Sequence, residues 1–536
     1  MKGILRLTIF AAILTFCVTG CKKGGGQASR SKTFSQQITI NITSEPQTLD
    51  PRKARALTDI NLIRMFMDGL TRTDQGGKPS LALAKKVEIS EDKKTYTFTL
   101  RDAKWSNGDP VTSHDFAYSW KKSLSPDFNS PNASMLYPIQ NAREAKQGQL
   151  PLSLVGIEAP DAKTLIVSLK HPTPYFLDLI SHPIFFPVNE IVDRQNPHWA
   201  ENQSSFVGNG PFSVGDWKHS NILLAEKNKH YWDQKSVSLS ALKMVMVSEE
   251  TGFKMFDTSE LNWDGSPFST IPVDAIQTLK EAKALQSAPV LATQWIRVNV
   301  NHPLLKSKKI RKALGLAIDR RLIIDHVTQG NQIPATGIVP QAMGLTDIPY
   351  FTDGDVKAAR ELFNEAMNEI GLSPQQLTGI PLLFASAERN YLIAQAIQDQ
   401  WHSAFGFLVQ LEPVESKVYF DRISKKDYAL SIGNWFADFN DPINFLEVFK
   451  SKECGTNNTN WESPSYQELL ETSYQCESEA ERKAILQRSE EILINDMPVI
   501  PIFHYSMLYL QDSQLKDVVL TTMGNIDFKW AHVEGD

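Results

Sequence analysis

Cysteine is scarce in this chain: four residues in 536, at positions 17, 21, 454 and 476. Long apolar runs are scarcer still. Beyond the first twenty residues no stretch approaches the length that crosses a bilayer, which excludes a channel lined by the chain itself. A basic excess is also missing: 55 Lys and Arg face 61 Asp and Glu, for a formal charge of −6. Neither that balance nor any basic run points to nucleic acid. Catalytic signatures are absent, since there is no HExxH, GxSxG or reactive Cys. The eleven His are scattered without ligand spacing, so a metal or haem carrier stands well behind other readings. Gly208-Asn209-Gly210-Pro211 is not a phosphate loop, because no Lys-Ser/Thr follows and no helix opens there. No cofactor is expected.

What is present begins with a leader. Lys2 and Arg6 precede an apolar run from Leu7 to Val18, and Val18-Thr19-Gly20-Cys21 follows. This is the pattern of a bacterial lipoprotein signal over residues 1–20, with Cys21 as the lipidated first residue. A plain secretory signal with an incidental Cys is the alternative. Residues 21–33 then read as a flexible polar tether. Loss of Lys2 and Arg6 would take the formal charge from −6 to −8. Once Cys17 leaves with the leader and Cys21 takes lipid, Cys454 and Cys476 remain as an even pair. In an oxidising compartment they are expected to be bridged, closing a loop worth about 3 kcal/mol. Two free buried thiols are the competing reading. With 42% hydrophobic residues the chain has ample core, and its length suggests two to four domains.

Strands and helices alternate without a repeat. Ile38–Ile42 and Thr95–Leu100 alternate as strands, and Asp59 to Leu70 has helical spacing. Thr112 to Asp115 is a capping box. The neighbours His114 and Asp115 therefore read as first-turn residues rather than catalytic groups. Gly208 to Pro211 reads as a lobe crossing that needs φ freedom. Ile310 to His326 reads as one amphipathic helix with a cationic entry. Further on come a helix from Val356 to Ile370 ended by Gly371 and a strand over Pro381–Ala385. A helix from Arg389 to Phe405 ended by Gly406 and a strand from Phe407 to Leu411 complete a βαβ rhythm. Ser463-Pro464 and Ser478 with Glu481 open two more helices.

The run Tyr428-Ala429-Leu430-Ser431-Ile432 reads as a buried strand leading into Asn434-Trp435-Phe436-Ala437-Asp438-Phe439-Asn440-Asp441-Pro442. A carboxylate at such a strand end, among aromatic side chains, is poorly hydrated unless a cation or several donors meet it. Asp438 is thus either a receptor for a ligand's ammonium or an ordinary turn residue. Asp438 and Asp441 as an acid–base pair is the enzyme reading. It lacks a second group to position water, and the chain is expected not to be an enzyme.

Lys104-Trp105-Ser106-Asn107-Gly108-Asp109-Pro110-Val111-Thr112, followed by Asp115-Phe116-Ala117-Tyr118-Ser119-Trp120, resembles the signature region of the solute-binding proteins of peptide and nickel ABC transporters. Collinear matches include Glu45 to Pro51, Gly208 to Phe212, Asn228 to Trp232, Ile310 to Ala313, Trp435 to Pro442 and Pro498 to Pro501. They run over nearly the whole mature chain, and the oligopeptide binders are especially similar. The resemblance implies an α/β, two-lobed periplasmic-binding-protein clamp of the large type II form. Lobe I would comprise 34–65, 190–291 and 506–536, an additional subdomain 66–189, and lobe II 292–505.

It also implies an exported, lipid-anchored monomer that delivers oligopeptides to a membrane permease and its ATPases. Murein peptides, nickel complexes and haem are alternative solutes. Asp438 would pair with the ligand's ammonium. Asn434, Trp435, Phe436 and Ala437 would offer a strand edge opposite Arg55, Ala56 and Leu57. Departures from the family are informative. Ile432 stands where relatives carry a basic carboxylate holder, and Asn390 where they carry a His. Arg55 and Arg297 occupy acidic positions and are either replacement anchors for a carboxylate or an acidic side chain, or solvent-facing arginines. Ala292 and Phe436 occupy the places of the relatives' own disulfide.

Overall fold

The computed structural model describes residues 35–453, 455–476 and 478–535. The leader, the tether with Cys21, and Cys454 lie outside the described residues.

An eleven-strand mixed sheet organises the described residues. Its middle is made by two antiparallel strands of 13 residues each, Gln286–Val298 and Val499–Gln511. To one side lie Leu430–Phe436, Pro381–Ala385 and Gln410–Val414; to the other lie Trp263–Gly265, Gln37–Asn41 and Ala241–Val245. The two long strands are apolar enough to be buried over much of their length, as strands covered on both faces must be. Their pairing loses register between Pro289/Ser506 and Thr293/His504. There the backbone turns to new partners: Leu291 N–H donates to Thr522 and Leu291 C=O accepts from Ala437 N–H.

Each end of the sheet has its own core. Ile40, Trp263, Phe66, Phe98 and Trp120 belong to one, and Trp295, Phe384, Leu430, Trp401 and Phe503 to the other. A separate four-strand antiparallel sheet, ordered Ala84–Ile89, Thr95–Leu100, Thr164–Ser168, Ile157–Asp161, joins the first core. Period-two burial of Tyr96, Phe98 and Leu100 supplies its apolar face. The helix Ser113–Ser123 covers it with Phe116 and Trp120. That helix opens with the expected capping box, Thr112 with Asp115.

The βαβ rhythm is parallel pairing of Pro381–Ala385 with Gln410–Val414 through the helix Glu388–Phe405. Gly371 and Gly406 end their helices at φ 68° and 77°, where a Cβ would be strained. Four local readings need correction. The strand expected at Phe407 to Leu411 begins at Gln410, because Phe407 and Val409 are spent on the core before pairing starts. The helix expected at 310–326 is Lys308–Leu316 followed by a break. Asp319 caps a new turn there, accepting from Leu322 N–H, while the Arg320 guanidinium turns inward to the carbonyls of Gly315, Ile318 and Pro501.

The first helix is Leu57–Phe66, ending where Met67 is extended and Asp68 enters a buried ionic cluster. Finally, Gly208 and Gly210 are required by close approach, not by φ: a Cβ would sit 2.3 Å from Phe66 O and 2.4 Å from Met67 N. Asn209 completes that crossing by bonding both the N–H and C=O of Asp68.

Candidate ligand site at a free strand edge

The strand Leu430–Phe436 pairs with Gln286–Val298 along its whole length, but with Pro381–Ala385 only at Leu430 and Ser431. From Ile432 onward one edge is therefore open. Among the described residues side chains meet it: the Tyr419 hydroxyl donates to Ile432 O at 2.6 Å and Arg297 Nη2 to Asn434 O at 3.4 Å. Unpaired backbone groups of this kind are a template for an extended chain. Alternation sends Trp435 back toward the core, while Asn434 and Phe436 are exposed. Phe436 leans on Tyr505 with ring centroids 5.1 Å apart, and Asn434 Nδ2 donates to the Tyr505 hydroxyl. Ala292 and Phe436 stand directly opposite one another across the two strands.

Past the strand end the chain makes a knitted turn. Asn444 Oδ1 accepts from Trp435 Nε1 at 2.8 Å and from Asp438 N–H at 3.3 Å. Asp441 is fully engaged: Arg482 reaches both its oxygens at 2.7 and 2.8 Å, and Ile443 N–H adds a third bond. Asp438 has no cation within 4.0 Å among the described residues. Solvent reaches its side chain, yet it sits at the floor of a cleft with protein on most sides. That desolvation pushes its carboxyl above the usual carboxylate range, only partly offset by Asn444. The acid–base pair considered from sequence is thereby overturned in its second member, since Arg482 holds Asp441 as structure.

A cavity of about 1020 Å³ opens beside Asp438, between Tyr137, His171 and Tyr175 on one wall and Trp435, Phe439 and Glu447 on the other. Immediately after Asp438 the chain touches the opposite wall. Phe439 stacks on Tyr175 at 4.2 Å and 4°, and Asn440 N–H donates to Asp178 at 2.9 Å. The expected partner segment, Arg55-Ala56-Leu57, is extended at Ala56, the N-cap residue of the helix Leu57–Phe66. Leu57 packs on Gly524, in the 521–525 turn that also flanks Asp438. The structure gathers Asn434 to Asp438 with Arg297, and Arg55 is exposed. Cys476 carries a free thiol 3.4 Å from Thr472 O, and its expected partner lies outside the described residues. No group of three His, Cys, Asp or Glu among the described residues is placed to hold a metal ion, and no helix among them is long and apolar enough to cross a membrane.

The profile of bacterial extracellular solute-binding proteins, family 5 (middle), matches residues 78–457. The chain belongs to this family. The oligopeptide-binding protein OppA of Bacillus subtilis is 39% identical over 99% of this chain and 98% of its own length. Among solved structures, the unliganded open form of the murein tripeptide-binding protein MppA superposes with a TM-score of 0.80 at 26% identity, covering 93% of this chain and 97% of its own. OppA of Haemophilus influenzae in complex with the peptide RPPGFSPFR reaches 0.77 at 27% identity, covering 93% and 99%.

Several residues of this candidate site escaped the sequence. Tyr419, Tyr505 and Tyr175 come from distant segments and carry no local signal. Gly433 did carry one: an isolated Gly inside a strand marks a close approach.

Proposed function

We propose that this chain is the substrate-binding component of a peptide ABC importer, capturing oligopeptides in a closing cleft. The observation that carries this reading is an unpaired, desolvated carboxylate, Asp438, at the end of an open strand edge. An extended peptide would bond the edge through its main chain, which tolerates any sequence, and set its ammonium against Asp438. Such a charge-assisted bond contributes about 1.5–3 kcal/mol. Main-chain recognition with one charged end is what a peptide offers and a metal complex or haem does not. The name of the Bacillus subtilis relative and the peptide in the Haemophilus influenzae complex support the same assignment.

Closure would follow from position. Phe439 and Asn440, next to Asp438, carry the contacts to Tyr175 and Asp178, so a ligand that orders Asp438 also orders the latch. The hinge would lie where the two long strands lose register, between Pro289/Ser506 and Thr293/His504. Lobe I then comprises 34–65, 190–291 and 506–536, the additional subdomain 66–189, and lobe II 292–505. The molecule acts as a monomer, anchored through lipidated Cys21, and delivers ligand to a membrane permease with its ATPases. Native mass spectrometry of the purified protein should show retained peptides. Calorimetry should show binding of a free peptide and its loss on N-acetylation. Equal affinity for the acetylated peptide would remove Asp438 from its role.

A further inference from the structure

We propose that residues 329–339 form a strap across the hinge, fixed on one lobe and releasable on the other, that biases the ligand-free protein toward its latched arrangement. This rests on the hinged, two-lobed reading above and extends it to a segment that lines neither cavity beside Asp438.

The strap follows the short helical turns that begin at Asp319. Its far end, 333–339, is bound to lobe II by buried groups. Ile333 and Pro334 pair with His504 and Phe503, and Ala335 N–H donates to Ile502 O at 3.1 Å. Thr293 Oγ1 donates to Ile338 O at 2.8 Å and meets His504 Nδ1 at 2.9 Å, on the two residues where the long strands regain their pairing. Ile338 O can only accept, so the Thr293 hydroxyl donates to it and His504 Nδ1 carries a proton. Ile338 N–H and Val339 N–H both donate to Glu490 Oε1, at 2.6 and 2.8 Å, and the Tyr350 hydroxyl donates to Oε2 at 2.8 Å. Glu490 is buried, and a Cβ on Gly337 would lie 2.6 Å from Oε1. That burial pushes its carboxyl up to about 7. The clamp does not need the charge: Oε1 keeps both backbone donors when Oε2 is protonated and turns its proton to the Tyr350 oxygen.

The near end, 329–331, reaches lobe I. Lys280 Nζ donates to Gln329 O at 3.0 Å, Asn331 Nδ2 to Ser287 Oγ at 3.2 Å, and Ser506 Oγ to Gly330 O. Lys280, Ser287 and Asn331 are exposed. Bonds open to solvent are readily exchanged for bonds to water, whereas a buried carboxylate on three donors is not. Gln329 and Asn331 also take left-handed backbone, φ 49° and 59°, which residues other than glycine adopt where contacts hold them there. Release lets both relax, so the near end is the part that lets go.

The direction of the bias follows from what else is made in the same structure. The near-end bonds coexist with the latch, where Phe439 stacks on Tyr175 and Asn440 N–H donates to Asp178. A swing of the lobes about 290–292 carries Lys280, Ser287 and Ser506 away from 329–331 as it parts the latch. Contacts made in one arrangement only shift the equilibrium toward it.

Lys280→Met combined with Asn331→Gly removes two near-end bonds at exposed positions, and glycine keeps the left-handed backbone. Small-angle scattering of the ligand-free variant should give a larger radius of gyration than wild type, with equal radii at saturating peptide. Calorimetry with free alanine-rich peptides of three to seven residues should show roughly three- to tenfold weaker binding, at an unchanged melting temperature. Glu490→Leu should act in the same direction. Glu490→Gln should behave as wild type, since the amide keeps the Oε1 acceptor and turns its N–H groups to Tyr350. If Glu490→Leu does not fold, the exposed pair decides alone. An unchanged ligand-free radius and affinity in that pair overturn the proposal. So does tighter binding, which would place the strap's bonds in the open arrangement. Weaker binding at an unchanged ligand-free radius also overturns it, by making Lys280 and Asn331 ligand contacts. Failure of every peptide to bind wild type would bring down the peptide reading, while the ligand-free radius would still decide the strap.

Discussion

Two regions of this molecule hold charge in opposite ways. In the first core, Asp68 accepts from Arg72, from the Tyr231 hydroxyl at 2.7 Å and from Trp232 Nε1 at 3.0 Å, while Arg72 also meets Asp527 at 2.7 Å. All of these charged groups are buried. Burial is the strongest single influence and pushes the Asp68 carboxyl up, but Arg72, Lys529, Tyr231 and Trp232 together outweigh it and hold the group below its usual range. In the cleft, Asp438 is only partly desolvated, but without a cation it is pushed up instead. Charge matched inside the fold specifies structure. Charge left unmatched beside a free backbone edge is open to a partner from outside, which is the role proposed for Asp438. The turn 438–441 repeats the contrast within four residues, with Asp441 locked to Arg482 and Asp438 open.

Breaking the buried cluster should give the largest effect. Arg72→Met strands Asp68 and Asp527 without their cation, and urea denaturation should show a loss of about 3–5 kcal/mol. A loss under about 1 kcal/mol would mean the cluster is no more structural than a surface pair.

The mirror change, Asp438→Asn, should leave the melting temperature unchanged or slightly higher, since it removes an uncompensated charge. Peptide affinity should fall by about 1.5–3 kcal/mol. The pH dependence sharpens this. In the free protein the Asp438 carboxyl is raised, and a bound ammonium would lower it. Affinity is therefore complete above the free protein's raised value and lost as pH falls through it, at up to about tenfold per pH unit. The slope should vanish in Asp438→Asn; a slope that survives the substitution assigns the titration to another group.

The smallest effect belongs to the latch. Tyr175→Ala removes a stacked pair worth about 0.5–1.5 kcal/mol. It should weaken peptide binding a few-fold and blunt the fall in radius of gyration on saturation. Full compaction in the variant would show that closure does not use this contact.

How much was legible in advance depended on how local each signal is. The capping box at Thr112, the glycine-ended helices at Gly371 and Gly406, and the period-two strand Thr95–Leu100 are set by neighbours in sequence. Each was readable for that reason. Asp438 was half-legible: its aromatic surroundings announced poor hydration, but whether a cation waited elsewhere in the chain was not visible. The helix expected through 310–326 failed because Arg320 is drawn into the core by carbonyls from another segment, which no periodicity encodes. Arg297 stands out in the sequence as an odd charge, while nothing local ties it to Gly433, which makes room for it.

By itself the sequence determined the alternation of strands and helices, the family signature and the stretch that carries the site, because caps, turns and apolar periods act over a few residues. Tertiary structure alone decided which charges stay unpaired. Asp441 finds Arg482 forty-one residues away, while Asp438 and Arg297 find no counter-ion and share one free strand edge. Whether a charge is satisfied depends on what the whole fold brings within about 4 Å of it, and that is a property of packing rather than of neighbours in the chain.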